Sequence, residues 1–147
     1  MEVDRLISEE ESGWARLAEV FASIPGNRFE DPTVTPEGWS PTDVMFHVGY
    51  WMAACADVLE RIAAGTWDGG ADETPTAIEV TNQQGFERSR EMSLDEVRAG
   101  FEEGRRQMVA AFRALDEVTP GGWEWFEESG PLHYAKHVAD LSAWLGR

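Results

Sequence analysis

Hydrophobic positions recur with the 3.6-residue period of an α-helix along most of this chain. The first segment, from about Val3 to Ile24, has apolar residues at helical spacing and stops at a Pro-Gly pair. Such a stripe predicts a helix with one face turned to a core. The residues of this stripe are Trp14, Leu17, Phe21 and Ile24.

A second helix has clear start and stop signals. Ser40 is a favourable N-cap, Pro41 suits the first helical position, and Asp43 places a negative charge in the first turn. Gly65 supplies the C-terminal stop. The predicted inward stripe consists of Val44, His47, Val48, Trp51, Cys55, Val58 and Ile62. His47 is therefore expected to point toward the core.

The next segments predict a weaker helix from about Thr76 to Arg90 and a regular one after it. Ser93 and Glu96 have the spacing of a capping box, in which each side chain caps the other residue's backbone N–H. The helix that they open has a single apolar face. The residues of that face are Leu94, Val97, Phe101, Met108, Phe112 and Leu115.

The stretch TPGGWEWFEESGP interrupts this pattern with glycines and prolines. It predicts a loop packed over one end of the molecule, with a short hairpin as the alternative, and its aromatic residues could form either a substrate lid or simple packing. The last helix is expected to start near Pro131. Its inward side carries His133, His137, Leu141 and Trp144.

Four long helices, no strand pattern and no internal repeat predict an all-α protein. Their apolar stripes are wide enough to face a shared interior, which favours a four-helix bundle. A chain of 147 residues is most simply one domain, 1–147, that buries its core without a structural metal. The patterns do not determine the order in which the helices run.

Charge and composition exclude several classes of function. The formal charge of −16 is spread along the chain and repels phosphate backbones and anionic lipids, so neither nucleic acid nor membrane is expected as a partner. No leader pattern or long apolar run is present, and a cytoplasmic location is the expectation. The single cysteine, Cys55, is predicted to be a core residue and not a nucleophile.

The three histidines are the candidate metal ligands of this sequence. His133 and His137 lie four residues apart and share one helix face, and His47 interrupts an apolar stripe. Together they predict a three-imidazole site for a divalent metal, with a position left open for water or substrate. Asp43 or Asp140 can orient a ligand ring. The alternative is that the histidines are ordinary core and surface residues, Asp43 a helix-start charge and Asp140 a surface residue.

Three segments resemble the DinB-like superfamily. GWSPTDVMFHVGYWMAACADVLERI is similar to its second helix, NQQGFERSREMSLDEVRAGFEEGRRQMVAAFRAL to its third, and HYAKHVADLSAWL to its final metal-binding helix. The branches it resembles most are the ClbS/DfsB-like proteins and the amino-terminal domain of mycothiol-dependent maleylpyruvate isomerase. The resemblance covers nearly the whole chain.

This resemblance implies a four-helix bundle of the DinB/YfiT type, connected up-down-down-up, that forms a homodimer. It also implies a divalent transition metal (Zn²⁺, Ni²⁺ or Fe²⁺) held by His47, His133 and His137. The isomerase branch has a glutamate where this chain has His133, which argues against the isomerase itself. That enzyme also carries a further carboxy-terminal domain, which this chain is expected to lack.

The same family resemblance narrows the expected function to chemistry on small molecules. The leading hypothesis is a metal-dependent thiol S-transferase that uses mycothiol or bacillithiol against a small electrophile. The alternatives are a metal-dependent hydrolase that confers toxin resistance, a non-catalytic binding protein with the same cavity, and a structural bundle. The first two need the same open metal position, so the sequence does not separate them.

Overall fold

The computed structural model describes residues 2–146, which form six α-helices and one short 3₁₀ turn at Gly26–Arg28. That range contains no strand, so the all-α prediction is confirmed. The up-down-down-up connectivity stays a prediction. None of these helices is long and apolar enough to cross a bilayer. The helices are α1 (Glu2–Ala22), α2 (Pro41–Ala64), α3 (Pro75–Ser89), α4 (Leu94–Arg113), α5 (Pro120–Ser129) and α6 (Pro131–Trp144).

The predicted capping residues set the ends of α2. Ser40 Oγ accepts a hydrogen bond from the Asp43 backbone N–H at 3.2 Å, and the Asp43 carboxylate accepts from the Ser40 backbone N–H at 2.8 Å. Gly65 ends the helix in the left-handed region at φ 73°. Ser93 and Glu96 form the same reciprocal box at the start of α4. These local signals were readable because each needs only side chains three residues apart.

The prediction of a loop or hairpin between 119 and 131 is wrong, because this stretch forms α5. Thr119 Oγ1 caps the helix by accepting from the Gly122 N–H at 3.1 Å, and Pro120 occupies the first position. Phe126 is 1% exposed and stacks on Phe112 with ring centroids 3.9 Å apart. This packing outweighs the poor helix propensity of the two glycines in its first turn.

Helix α2 lies at the centre of the molecule and packs against α3, α4, α5 and α6, while α1 packs against α6. Its predicted stripe is largely correct: Val44, Val48, Cys55 and Val58 are buried. The apolar face of α4 is also where it was predicted. Its buried members are Val97, Phe101, Met108 and Phe112.

A buried carboxylate links three of the long helices. Glu10 of α1 is 1% exposed and accepts hydrogen bonds from Arg105 of α4 at 3.0 and 2.6 Å. It also accepts from the Tyr134 hydroxyl of α6 at 2.8 Å. Because Tyr134 is adjacent to His133 in α6, this network anchors the helix turn that carries the histidine pair.

Candidate metal centre

Helices α2 and α6 bring the three predicted histidines together. The Nε2 atom of His133 lies 3.0 Å from Nε2 of His47 and 3.0 Å from Nε2 of His137. One ligand nitrogen from each ring lies within 4.8 Å of the others. Two nitrogens that bind the same Zn²⁺ at 2.0–2.1 Å are about 3 Å apart, so these separations fit three imidazoles around one ion.

Hydrogen bonding alone does not satisfy this cluster. His133 Nε2 faces two ring nitrogens, yet a neutral imidazole nitrogen has either one N–H or one lone pair and makes one good bond. Among residues 2–146, His133 Nδ1 is also the one buried side-chain nitrogen or oxygen without a hydrogen-bond partner. A cation that accepts all three Nε2 lone pairs removes the conflict at Nε2. The donor set therefore fits a divalent transition metal.

Two polar side chains contact the outer sides of the rings. Asp140 Oδ2 lies 3.6 Å from His137 Nδ1, and this favours the tautomer with the proton on Nδ1 and the lone pair on Nε2. The side chain of Asn82 on α3 hydrogen-bonds with His47, which raises the pKa of that histidine, and accepts from Trp51 Nε1 at 2.8 Å. Asp140 thus lies where a ligand-orienting carboxylate was predicted, whereas Asn82 was not identified from sequence.

The other predicted orienting residue, Asp43, is engaged elsewhere. Its carboxylate accepts hydrogen bonds from Ser40 and from the Ser89 hydroxyl, and it lies 3.4 Å from Arg90 Nε. Asp43 is 3% exposed and ties the start of α2 to the end of α3. Of the two interpretations of Asp43 from sequence, the helix-start charge is the correct one, because the capping geometry consumes the carboxylate.

Burial keeps all three imidazoles neutral. It lowers the pKa of His47 to about 3, with further lowering from His133 and Lys136 and a partial increase from Asn82. Burial, then Lys136, lowers the pKa of His133 to about 4. Burial, then the two other histidines, lowers the pKa of His137 to about 2. Neutral rings offer the lone pairs that metal binding requires.

A cavity of about 460 Å³, called here the tryptophan pocket, opens beside the histidines. His47 and His133 line it, whereas His137 is buried at 4% exposure and does not. Three tryptophans and Ile78 supply apolar surface, and three glutamates supply charge. The members of these two groups are Trp51, Trp67, Trp125, Glu73, Glu124 and Glu128.

Sequence patterns missed most of this pocket. Trp51 follows His47 by four residues, a spacing that places both on one helix face and signals a shared surface. Trp125 belongs to the aromatic group considered as a lid or packing, and it lines the cavity while its neighbour Phe126 is core. Trp67 and Glu73 come from the segment between α2 and α3, where no periodicity exists to orient a side chain.

Comparison with protein families agrees with the resemblance noted from sequence. The model for the mycothiol maleylpyruvate isomerase N-terminal domain matches residues 11–142, which include all three histidines. Neither curated proteins nor solved structures gave a match. The match covers most of the chain, and the protein therefore belongs to the mycothiol maleylpyruvate isomerase N-terminal domain family, within the DinB-like superfamily.

Proposed function

We propose that His47, His133 and His137 hold one divalent transition metal ion, and that the protein uses it on a small molecule bound in the tryptophan pocket. The three Nε2 atoms converge beside the cavity that His47 and His133 line. The observation that carries the proposal is the hydrogen-bond conflict at His133 Nε2, which faces two other ring nitrogens. Three imidazoles leave at least one coordination position free, which is the arrangement of catalytic zinc sites.

The reaction that we favour is transfer of a thiol to an electrophile. A bound divalent ion would lower the pKa of a thiol at the free position. The thiolate sulfur would form a bond to an electrophilic carbon, and the leaving group would depart with the electrons of its own bond. The thiol proton passes to solvent or to a pocket carboxylate such as Glu128. Support for a thiol comes from the family, whose description names mycothiol.

Maleylpyruvate itself fits the pocket poorly. It carries carboxylates, and no lysine or arginine is found among the described residues that line the cavity. Three glutamates there would repel it. Membership of the family thus supports metal and thiol chemistry in this chain more strongly than it supports the isomerase substrate.

Hydrolysis is the second candidate, and the pocket carboxylates favour it. Glu124 and Glu128 are four residues apart on one face of α5, and both line the cavity. A carboxylate near a metal site can accept the proton of an attacking water. Incubation with an electrophile, with and without mycothiol, distinguishes the two reactions by mass spectrometry. Thiol transfer gives an adduct only when the thiol is present, whereas hydrolysis gives the same water-derived product in both.

Elemental analysis tests the metal directly. Protein purified without a histidine tag and dialysed against Zn²⁺ or Ni²⁺ is expected to retain close to one equivalent of ion. Retention below about 0.1 equivalent after both dialyses would contradict the metal assignment, since a three-imidazole site binds tightly enough to remain filled.

Replacement of one ligand gives the first prediction. We expect His47→Ala to abolish metal retention and leave the far-ultraviolet circular dichroism spectrum helical, because the core is built from apolar contacts that do not involve the ion. All three histidines lie in the site, so the control replaces an exposed residue of α4, Glu102→Ala. That variant should retain the ion. Cooperative loss of helix when the wild-type protein is treated with a chelator would contradict the independence of fold and metal.

A further inference from the structure

The tryptophan pocket has the size of a small-molecule site, and most of its walls come from residues other than the histidines. Its volume of about 460 Å³ lies within the usual range for ligand pockets. Besides the two histidines, its walls come from Trp51 of α2, from α3, from α5 and from the segment between α2 and α3. A preference of this pocket for one ligand class would therefore be a property separate from metal binding.

Charge is the first property that selects a ligand. Glu73, Glu124 and Glu128 line the cavity, and the part of the chain that the structure describes contributes no lysine or arginine to its walls. Burial is the largest cause that raises the pKa of Glu73; the charges of Asp68 and Asp72 add to this increase, and the charge of Arg61 opposes it. Three carboxylates also exceed the charge of a divalent ion, so the pocket stays negative when metal is bound.

The tryptophans are the second feature of the pocket that selects a ligand. Trp51 is held by its hydrogen bond to Asn82, and its ring lies 6.4 Å from that of Trp125 at an angle of 34°. Trp67 rests against the backbone of α5, because a Cβ placed at Gly121 would come within 2.6 Å of its ring. Indole faces carry negative potential and attract cations, most strongly where water is excluded.

We propose that the tryptophan pocket binds a small organic cation, an amine or quaternary ammonium group carried on an apolar body. The positive group lies among the carboxylates and indole faces, and the apolar body packs against the tryptophans and Ile78. The part of this inference that concerns turnover rests on the proposed function, since a reacting group on the same molecule would face His47 and His133. The binding preference does not depend on it.

Three phenols of nearly the same shape test this preference. The probes are (4-hydroxyphenyl)trimethylammonium, the neutral 4-tert-butylphenol and the anionic 4-hydroxybenzenesulfonate, titrated into metal-free protein by isothermal titration calorimetry. We expect the cation to bind at least about tenfold more tightly than the neutral probe, the size of a desolvated cation–π contact with added charge attraction. We expect no binding of the anion, and weaker binding of the cation at high salt. Equal affinities for the cation and the neutral probe would overturn the proposal.

Substitution of the pocket carboxylates tests whether they cause the preference for the cationic probe. The triple variant Glu73→Gln, Glu124→Gln, Glu128→Gln should lose about tenfold or more in affinity for the cation and little for the neutral probe. The matched control removes three exposed carboxylates outside the pocket, Glu37→Gln, Glu102→Gln and Glu117→Gln. This control variant has the same net charge as the triple pocket variant, and it should bind the cation with wild-type affinity. A triple pocket variant with unchanged affinity would also overturn the proposal.

Failure of this inference can be told apart from failure of the proposed function. The His47→Ala variant and the metal-free wild type are both expected to bind the cation, because the carboxylates and tryptophans remain in place. If the protein retains no metal but selects the cation, the pocket inference stands and the enzymatic proposal falls. If it retains metal but does not discriminate among the probes, the pocket inference falls alone.

Discussion

Cys55 shows how a residue's surroundings determine its chemistry. Its side chain is fully buried, and burial raises the pKa of the thiol to about 12, opposed in part by a hydrogen bond with Ser129. Reactive cysteines need the opposite conditions, exposure and a nearby positive charge. Ser129 lines the tryptophan pocket, yet the sulfur lies behind it in the core. The thiol of any S-transfer reaction must therefore come from a separate molecule.

We predict that native Cys55 does not react with a thiol reagent at pH 8, while urea-unfolded protein reacts at once. The folded pKa lies above the unfolded value of 9.0, so the stability that the neutral thiol contributes is fully present below pH 9 and falls as the pH rises toward 12. Urea titrations of the wild type and Cys55→Ala between pH 8 and 11 measure this difference. Rapid labelling of native protein would contradict the buried environment.

Single positions were predictable from sequence where the signal was local. The caps at Ser40 and Ser93 and the helix stop at Gly65 need only neighbours in the chain, and all three are correct. Asp43 was ambiguous because its partner Ser89 lies 46 residues away. The grouping of His47 with His133, 86 residues apart, was reached through a pattern of stripes and a family resemblance, since spacing alone does not bring α2 and α6 together.

Among the helices, α5 differs most from its sequence pattern. Two adjacent glycines follow Pro120, and helix propensity alone predicts a turn for this run. In the folded protein the ring of Trp67 packs against Gly121, and the burial of Phe126 in the core stabilises the helix. Long-range contacts therefore stabilise α5, and rules based on neighbouring residues do not detect them.

This contact gives a prediction for Gly121→Ala. The added methyl group meets the Trp67 ring, so we expect a cost of about 1–3 kcal/mol in the free energy of unfolding and a displaced indole. Gly100→Ala in α4 is the control, because nothing lies within 4 Å of its Cβ. That variant should gain up to about 1 kcal/mol from helix propensity. Urea unfolding measures both, and equal shifts in the two variants would mean that Trp67 does not pack on Gly121.

At the scale of the whole molecule, the Glu10 network joins α1, α4 and α6 inside the core. Glu10 is 1% exposed and has Arg105 as its bidentate partner, with Tyr134 as a second donor. Removal of one member of a buried ion pair leaves an uncompensated charge, which costs far more than the pair itself contributes. This network was not predictable from local patterns, because Glu10 lies in a run of acidic residues that resembles a solvated face.

Two adjacent arginines test this network. We expect Arg105→Ala to lower the free energy of unfolding by about 3–5 kcal/mol, since it strands the Glu10 carboxylate. Arg106→Ala removes an exposed pair with Glu103 on the same helix, and it should change the free energy of unfolding very little because solvent screens such a pair. Chemical denaturation at 15 °C compares the two. Similar losses in both variants would show that Glu10 is not dependent on Arg105.

Part of the pocket wall belongs to a different region of the fold from the candidate metal ligands. The three histidines belong to α2 and α6, which pack in the core, whereas Trp67, Glu73 and Ile78 belong to the α2–α3 segment and to α3, a helix whose one buried residue is Ser89. Substitutions on such a lightly packed surface cost little stability. Natural variation on this surface can therefore change which molecules the pocket accepts while the histidine cluster is inherited intact, a separation that makes the fold readily evolvable.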